Sequence, residues 1–197
     1  MHAKRTRLIL VGLYFGLSIY AIPLKAATIV VNSAIDVAPS VVDGNCTLRE
    51  AIEAASTNTA DDACNVGNGA DTIEFTSAML AGGATSITLM DDLSNYSDPV
   101  VESLTINGPG TNLLSIDGDK LYMLFYLNSP GDNQTFHFND MTLTSGLSTT
   151  GSSTTQSGGA MYIEKGETVS IERILFRDNK ADNGGGAIFI PNSVSSS

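Results

Sequence analysis

Gly158-Gly159-Ala160-Met161-Tyr162-Ile163 returns at positions 185–190 as Gly185-Gly186-Ala187-Ile188-Phe189-Ile190, 27 residues further on. A glycine pair followed by alternating apolar residues, recurring at a period of roughly 20–50 residues, is the mark of a stacked repeat. One such unit has an apolar face that it cannot bury alone, so neighbouring units must stack. The predicted architecture is therefore an all-β solenoid.

The unit between the two copies supports this reading. Ser170–Asn179 aligns with His137–Gly146 at a spacing of 33, matching apolar positions Phe138 with Ile171, Met141 with Ile174 and Leu143 with Phe176. A turn former closes each copy, at Gly146 and Asn179. The spacing falls from 33 to 27 because the linker Leu147–Ser157 has eleven residues where Lys180–Gly184 has five. An insertion confined to a turn leaves the strand ladder in register. Leu147–Ser157, rich in serine and threonine, is predicted to be an exposed loop.

The chain opens on Lys4, Arg5 and Arg7, an apolar run from Leu8 to Ile22, and the small residues Ala26 and Ala27. This pattern predicts a secretory signal over residues 1–26, cleaved after Ala26. A membrane anchor is the alternative, but the run is short for a span of roughly 20 residues. Without residues 1–26, six basic side chains face 21 acidic ones, a net charge of −15. That balance argues against nucleic acid and anionic membranes as partners. Cys46 and Cys64, the two cysteines, would then meet an oxidising compartment, where a disulfide is the default and two buried thiols the alternative. They are too few ligands for a metal site.

Ala27–Asn32 reads as an opening strand. Thr47-Leu48-Arg49-Glu50 fits a capping box, in which the Thr47 hydroxyl serves the Glu50 amide and Glu50 reaches back. Leu48, Ala51, Ile52 and Ala55 fall on one face, predicting a short amphipathic helix over 47–57. Residues 27–66 are expected to cap the first coil, because an uncapped end would expose strand edges and core side chains. Strands are predicted at Asp71–Phe75, Ser86–Leu89, Ser103–Ile106, Leu113–Ile116 and Leu121–Leu127, within coils over 67–190. Residues 191–197 are expected to be a truncated or disordered tail, the chain being an N-terminal piece of a longer protein.

The stretch Asp43–Ala55 with Gly69–Phe75 resembles the CSLREA-type N-terminal segment of exported bacterial β-helix proteins, with Thr47 where that family has serine. Leu104–Gly110 looks like the first coil of such proteins, and Gly185–Ile188 with Phe176-x-x-Asn179 is similar to the repeats of polymorphic outer-membrane proteins. Phe136-x-x-Asn139 fits the same pattern but is out of register with the aligned coils. The resemblance implies a right-handed parallel β-helix of the pectin-lyase-like kind, exported to the cell surface, outer membrane or medium.

That architecture hosts polysaccharide lyases, glycoside hydrolases and adhesins, so function must come from a site. A lyase would need acidic residues around Ca²⁺ and a base; the candidates are Asp91, Asp92, Asp117 and Asp119 with Lys120, Lys165, Arg173, Arg177 and Lys180. Asp178 and Asp182 lie beside Arg177 and Lys180, among turn residues where solvated charges are ordinary. A hydrolase would need two carboxylates across one cleft, and no local pattern singles out a pair. His137, the one histidine after the leader, alternates with Phe136 and Phe138 and is predicted to point outward. Gly158, Gly159, Gly185 and Gly186 read as tight-turn residues, Asn179 as a turn residue and Phe176 as coil interior. The expectation is an adhesin-like or structural passenger with no catalytic residue and no cofactor, its partner a cell-surface glycan or protein. The runner-up is a lyase or hydrolase acting on acidic polysaccharide.

Overall fold

The computed structural model describes residues 26–37, 41–93, 102–128, 133–149 and 157–191. The expected leader up to residue 25, the loop residues 150–156 and the tail from 192 lie outside them.

Runs with β-branched or aromatic residues at alternate positions form strands, because every second side chain then reaches one core. The first is β1 (Thr28–Val31), whose Ile29 and Val31 are buried between exposed neighbours. Helix α1 (Leu48–Thr57) follows, then β2 (Asp71–Phe75), β3 (Thr85–Thr88), β4 (Leu104–Asn107), β5 (Leu114–Asp117) and β6 (Phe125–Leu127). After these come β7 (Thr135–Thr144), β8 (Leu147–Ser148), β9 (Met161–Ile163), β10 (Thr168–Arg177), β11 (Lys180–Ala181) and β12 (Ile188–Phe189). Every pairing between these strands is parallel. Seven of them make one sheet, ordered β1-β2-β4-β7-β5-β3 with β10 also on β7, and it curls through 261° about an axis. Smaller ladders join β8 to β11, and β6 to β9 to β12.

β7 and β10 each serve two stretches of the sheet because each turns a corner at a left-handed residue, Asp140 (φ 57°) and Arg173 (φ 51°). Before the corner β7 pairs with β4; after it, with β5. The two corners stack 33 residues apart, and the Arg173 guanidinium grips Asp140 at 2.6 Å (Nε to Oδ1) and 2.8 Å (Nη2 to Oδ2). That hydrogen bonding holds the Asp140 carboxyl below the usual carboxylate range. The sign is that of a depressed carboxylate: the pair contributes above the ordinary Asp range and is lost as pH falls through the lowered value.

The strand registers agree with the alignment of the sequence. Ile171 lies opposite Phe138, Ile174 opposite Met141 and Phe176 opposite Leu143. Ile188 lies opposite Met161 and Phe189 opposite Tyr162, the shorter step. Ile29, Ile73, Ile106, Phe138 and Ile171 thus form one ladder of inward side chains across five strands. Burying the first four fully is worth roughly 1.5–3 kcal/mol each, and Ile171, on the last strand, is half-buried. Phe125 meets Phe138 edge-on, with ring centroids 4.9 Å apart. On the other face of the β6-β9-β12 ladder, Tyr126 stacks on Tyr162 at 4.8 Å, and Phe189 follows at 5.5 Å.

Two sequence expectations need correction. Leu147 and Ser148 are not loop but β8, paired to Lys180 and Ala181, and Ser148 and Ser157 are buried. Their polar, low-complexity character hid a two-residue ladder whose bonds are all backbone. The run Leu121–Leu127 is strand only from Phe125, because Leu121 and Tyr122 both donate to the Gly118 carbonyl in a turn.

α1 lays Leu48, Ala51, Ile52 and Ala55 on the same core as Ile29, Val31 and Ile73. Thr47 Oγ1 accepts from the Glu50 amide at 3.3 Å, and Glu50 Oε2 accepts from the Thr47 amide at 2.8 Å, completing a capping box. Asn58, left-handed at φ 52°, ends the helix. The Cys46–Cys64 disulfide joins the residue before the cap to the loop beyond the helix, closing a separation of 18 residues. Replacing both cysteines by alanine should lower stability by about 3 kcal/mol, chiefly by freeing the unfolded chain. Urea unfolding of the two proteins checks this, as a lower midpoint with a steeper slope, because the freed unfolded chain exposes more surface.

Candidate functional site

The acidic candidates are largely occupied in holding turns. Asp92 accepts the Met123 amide at 2.7 Å through its carboxylate, and the main-chain carbonyls of Asp91 and Asp92 accept from Arg49. Asp117 accepts the amide of Asp119, a side-chain turn of the ordinary Asx kind. Among the described residues, no three His, Cys, Asp or Glu side chains gather as metal ligands would. His137 sits half-buried on the face opposite Phe136 and Phe138, between Thr105 and Ser170 on the neighbouring strands.

The basic candidates divide differently. Arg49 is committed to Asp36, Arg173 to Asp140, and Arg177 lies 3.9 Å from Asp178. Lys165 edges an apolar hollow of about 470 Å³ beside Glu164 and Glu167, lined by Val169, Ile171 and Ile188. Lys120 and Lys180 make no ion pair among the described residues. Both line a single groove of about 340 Å³, together with Gly146, Leu147 and Asp178.

Three stacked turns build this groove. The first is Asp117-Gly118-Asp119-Lys120, in which Asp119 and Lys120 are left-handed and the Lys120 amide donates to Ser145 O at 2.9 Å. The second is Ser145-Gly146-Leu147, and the Leu147 amide donates at 2.9 Å to the carbonyl of Tyr122, two residues beyond the first. The third is Asp178-Asn179-Lys180, and the Lys180 amide donates to Gly146 O at 2.8 Å. Asn179 ties the second and third turns: its Oδ1 accepts the Gly146 amide at 2.7 Å and its Nδ2 donates to Leu143 O at 2.9 Å. Gly146 and Gly159 pass so close that a Cβ on Gly146 would lie 2.2 Å from Gly159 O. Backbone contact therefore sets the spacing of the lysines, and their exposed ammonium groups stay free to meet an anion.

The sequence named Lys120, Lys180 and Asp178 separately, and the structure brings all three to one groove. The convergence was not legible because the two lysines are 60 residues apart, in loops of unequal length. Compared with protein-family models, curated proteins and solved structures, the chain matches none of them.

Proposed function

We propose that the chain is an exported or surface-displayed right-handed parallel β-helix module, adhesin-like, that holds acidic groups of a surface glycan or protein at the Lys120–Lys180 groove. The curled parallel sheet supports the architecture, and right-handed crossovers are the hand that parallel strand connections overwhelmingly adopt. The cap residues Asp43–Ala55 support the resemblance to CSLREA-type proteins, and the Lys4–Ala27 pattern supports export. The observation that carries the binding reading is the convergence of the two unpaired lysines in a strongly acidic chain. An ammonium flanked by main-chain turns offers charge-assisted hydrogen bonds to carboxylate or sulfate, stronger than neutral ones.

Calorimetric titration with polygalacturonate and with a sulfated polysaccharide tests this. Binding is expected, and Lys120→Ala or Lys180→Ala should each weaken it by about tenfold, the weight of one charge-assisted hydrogen bond. Undiminished binding in both variants would sink the groove as the site. The second reading, a uronate lyase, has one observation in its favour: Asp178 lies in the same groove as the lysines. Release of unsaturated uronate on incubation with polygalacturonate would select it over the binder.

A further inference from the structure

Asp71, the first residue of β2, is fully buried, and no Lys, Arg or His side chain among the described residues pairs with it. Among the described residues its carboxylate accepts main-chain amides alone: Ala27 on Oδ1 at 2.7 Å and Asn68 on both oxygens at 2.9 Å. It also faces the C-terminal turn of α1. A Cβ built on Gly67 would lie 2.4 Å from Ala54 O and 2.5 Å from Asp71 Oδ2, so carbonyl and carboxylate crowd one point. The end of a helix is negative, and a buried carboxylate there calls for a positive partner.

The nearer donor at Oδ1 is the nitrogen of Ala27, the residue that follows the predicted cleavage point. We infer that Asp71 is a receptor for the α-ammonium group created when the leader is removed. Hydrolysis of the Ala26–Ala27 bond by a leader peptidase consumes one water. The hydroxyl goes to the Ala26 carbonyl and a hydrogen to the Ala27 nitrogen; the new carboxylic acid then yields its proton and the amine gains one. A neutral amide donor becomes a cation at the same atom, 2.7 Å from Oδ1. Thr72 donates to Ala27 O at 2.9 Å, which keeps that nitrogen in place at the start of the sheet. Processing thereby completes a part-buried ion pair, with its carboxylate fully buried, that joins β1, β2 and the end of α1. The mature chain is locked where the leader-bearing chain is not. This rests on the export part of the proposed function and is independent of the lysine groove.

The test compares the chain beginning at Ala27 with one beginning at Ala26, whose ammonium is displaced by about 3.8 Å. N-terminal sequencing of the exported protein should return Ala27. The Ala27 chain should show a folding equilibrium constant at least about tenfold higher at pH 7, and Asp71→Asn should close that gap. A second measurement needs no Asp71 variant: acylation of the α-amine in the native protein should be at least about tenfold slower for Ala27 than for Ala26. A start elsewhere, equal stabilities, a gap that persists in Asp71→Asn, or equal acylation rates would overturn the inference. Polysaccharide binding is unaffected by any of these, so the two readings fail separately.

Discussion

Arg49→Ala is expected to destabilise the folded chain by about 3–5 kcal/mol, the cost of stranding one member of a buried ion pair. The Asp36 side chain is 1% exposed and Arg49 is 12% exposed. Nε donates to Oδ1 at 2.9 Å and Nη2 to Oδ2 at 2.6 Å, a two-point grip that also leaves donors for the Asp91 and Asp92 carbonyls. The Met90 amide completes Asp36 at 2.9 Å. One guanidinium thus ties the segment after β1, the helix and the chain after β3. Removing it leaves a carboxylate and two carbonyls with unmet hydrogen-bonding capacity. The double variant Asp36→Leu with Arg49→Met should recover much of the loss, because a packed apolar pair has no charge to desolvate. Urea unfolding of the single and double variants measures both. A loss below about 1 kcal/mol for Arg49→Ala, the range of surface pairs, would refute the account.

Gly159→Ala should cost at least about 3 kcal/mol, the upper range of overpacking, because what it strikes is backbone on three sides. A Cβ there would lie 2.3 Å from Lys180 O, 2.6 Å from Gly146 O and 2.8 Å from Gly186 O. None of these can rotate away as a side-chain tip could. The groove is built on the same contacts, so the variant should also weaken binding at Lys120 and Lys180 even where it remains folded. Gly82→Ala is the control: nothing lies within 4 Å of its Cβ. It should be neutral or mildly stabilising, by up to about 1 kcal/mol, through the unfolded chain. Thermal unfolding of the pair separates a steric cost from a general cost of replacing glycine. Equal melting temperatures would remove the close-approach argument.

These two sites also mark where sequence reading stopped. Asp36 looked like one acid among many in a loop, and nothing local tells that Arg49 folds back over it. The corners at Asp140 and Arg173 were equally silent, since a left-handed aspartate or arginine inside an apolar run has no signature comparable to glycine. Tyr162 and Phe189 did stand at matching places of the repeated hexapeptide, but the stacking of Tyr162 on Tyr126 depends on a partner 36 residues earlier with no glycine pair before it. By contrast, the pairing of β7 with β10 was readable residue by residue, because inward apolar side chains must alternate and a slip by one would turn them all to water.

Residue order alone was enough for the β-rich class, the capped helix and the registers of β7 with β10 and of β9 with β12, since these follow from periodicity and capping chemistry. It also made the disulfide the default state of two cysteines. The meeting of Lys120 with Lys180, of Asp36 with Arg49 and of Ala27 with Asp71 was decided by the fold. Those pairs lie 60, 13 and 44 residues apart and meet through stacked turns, helix docking and strand pairing, contacts that no local pattern encodes.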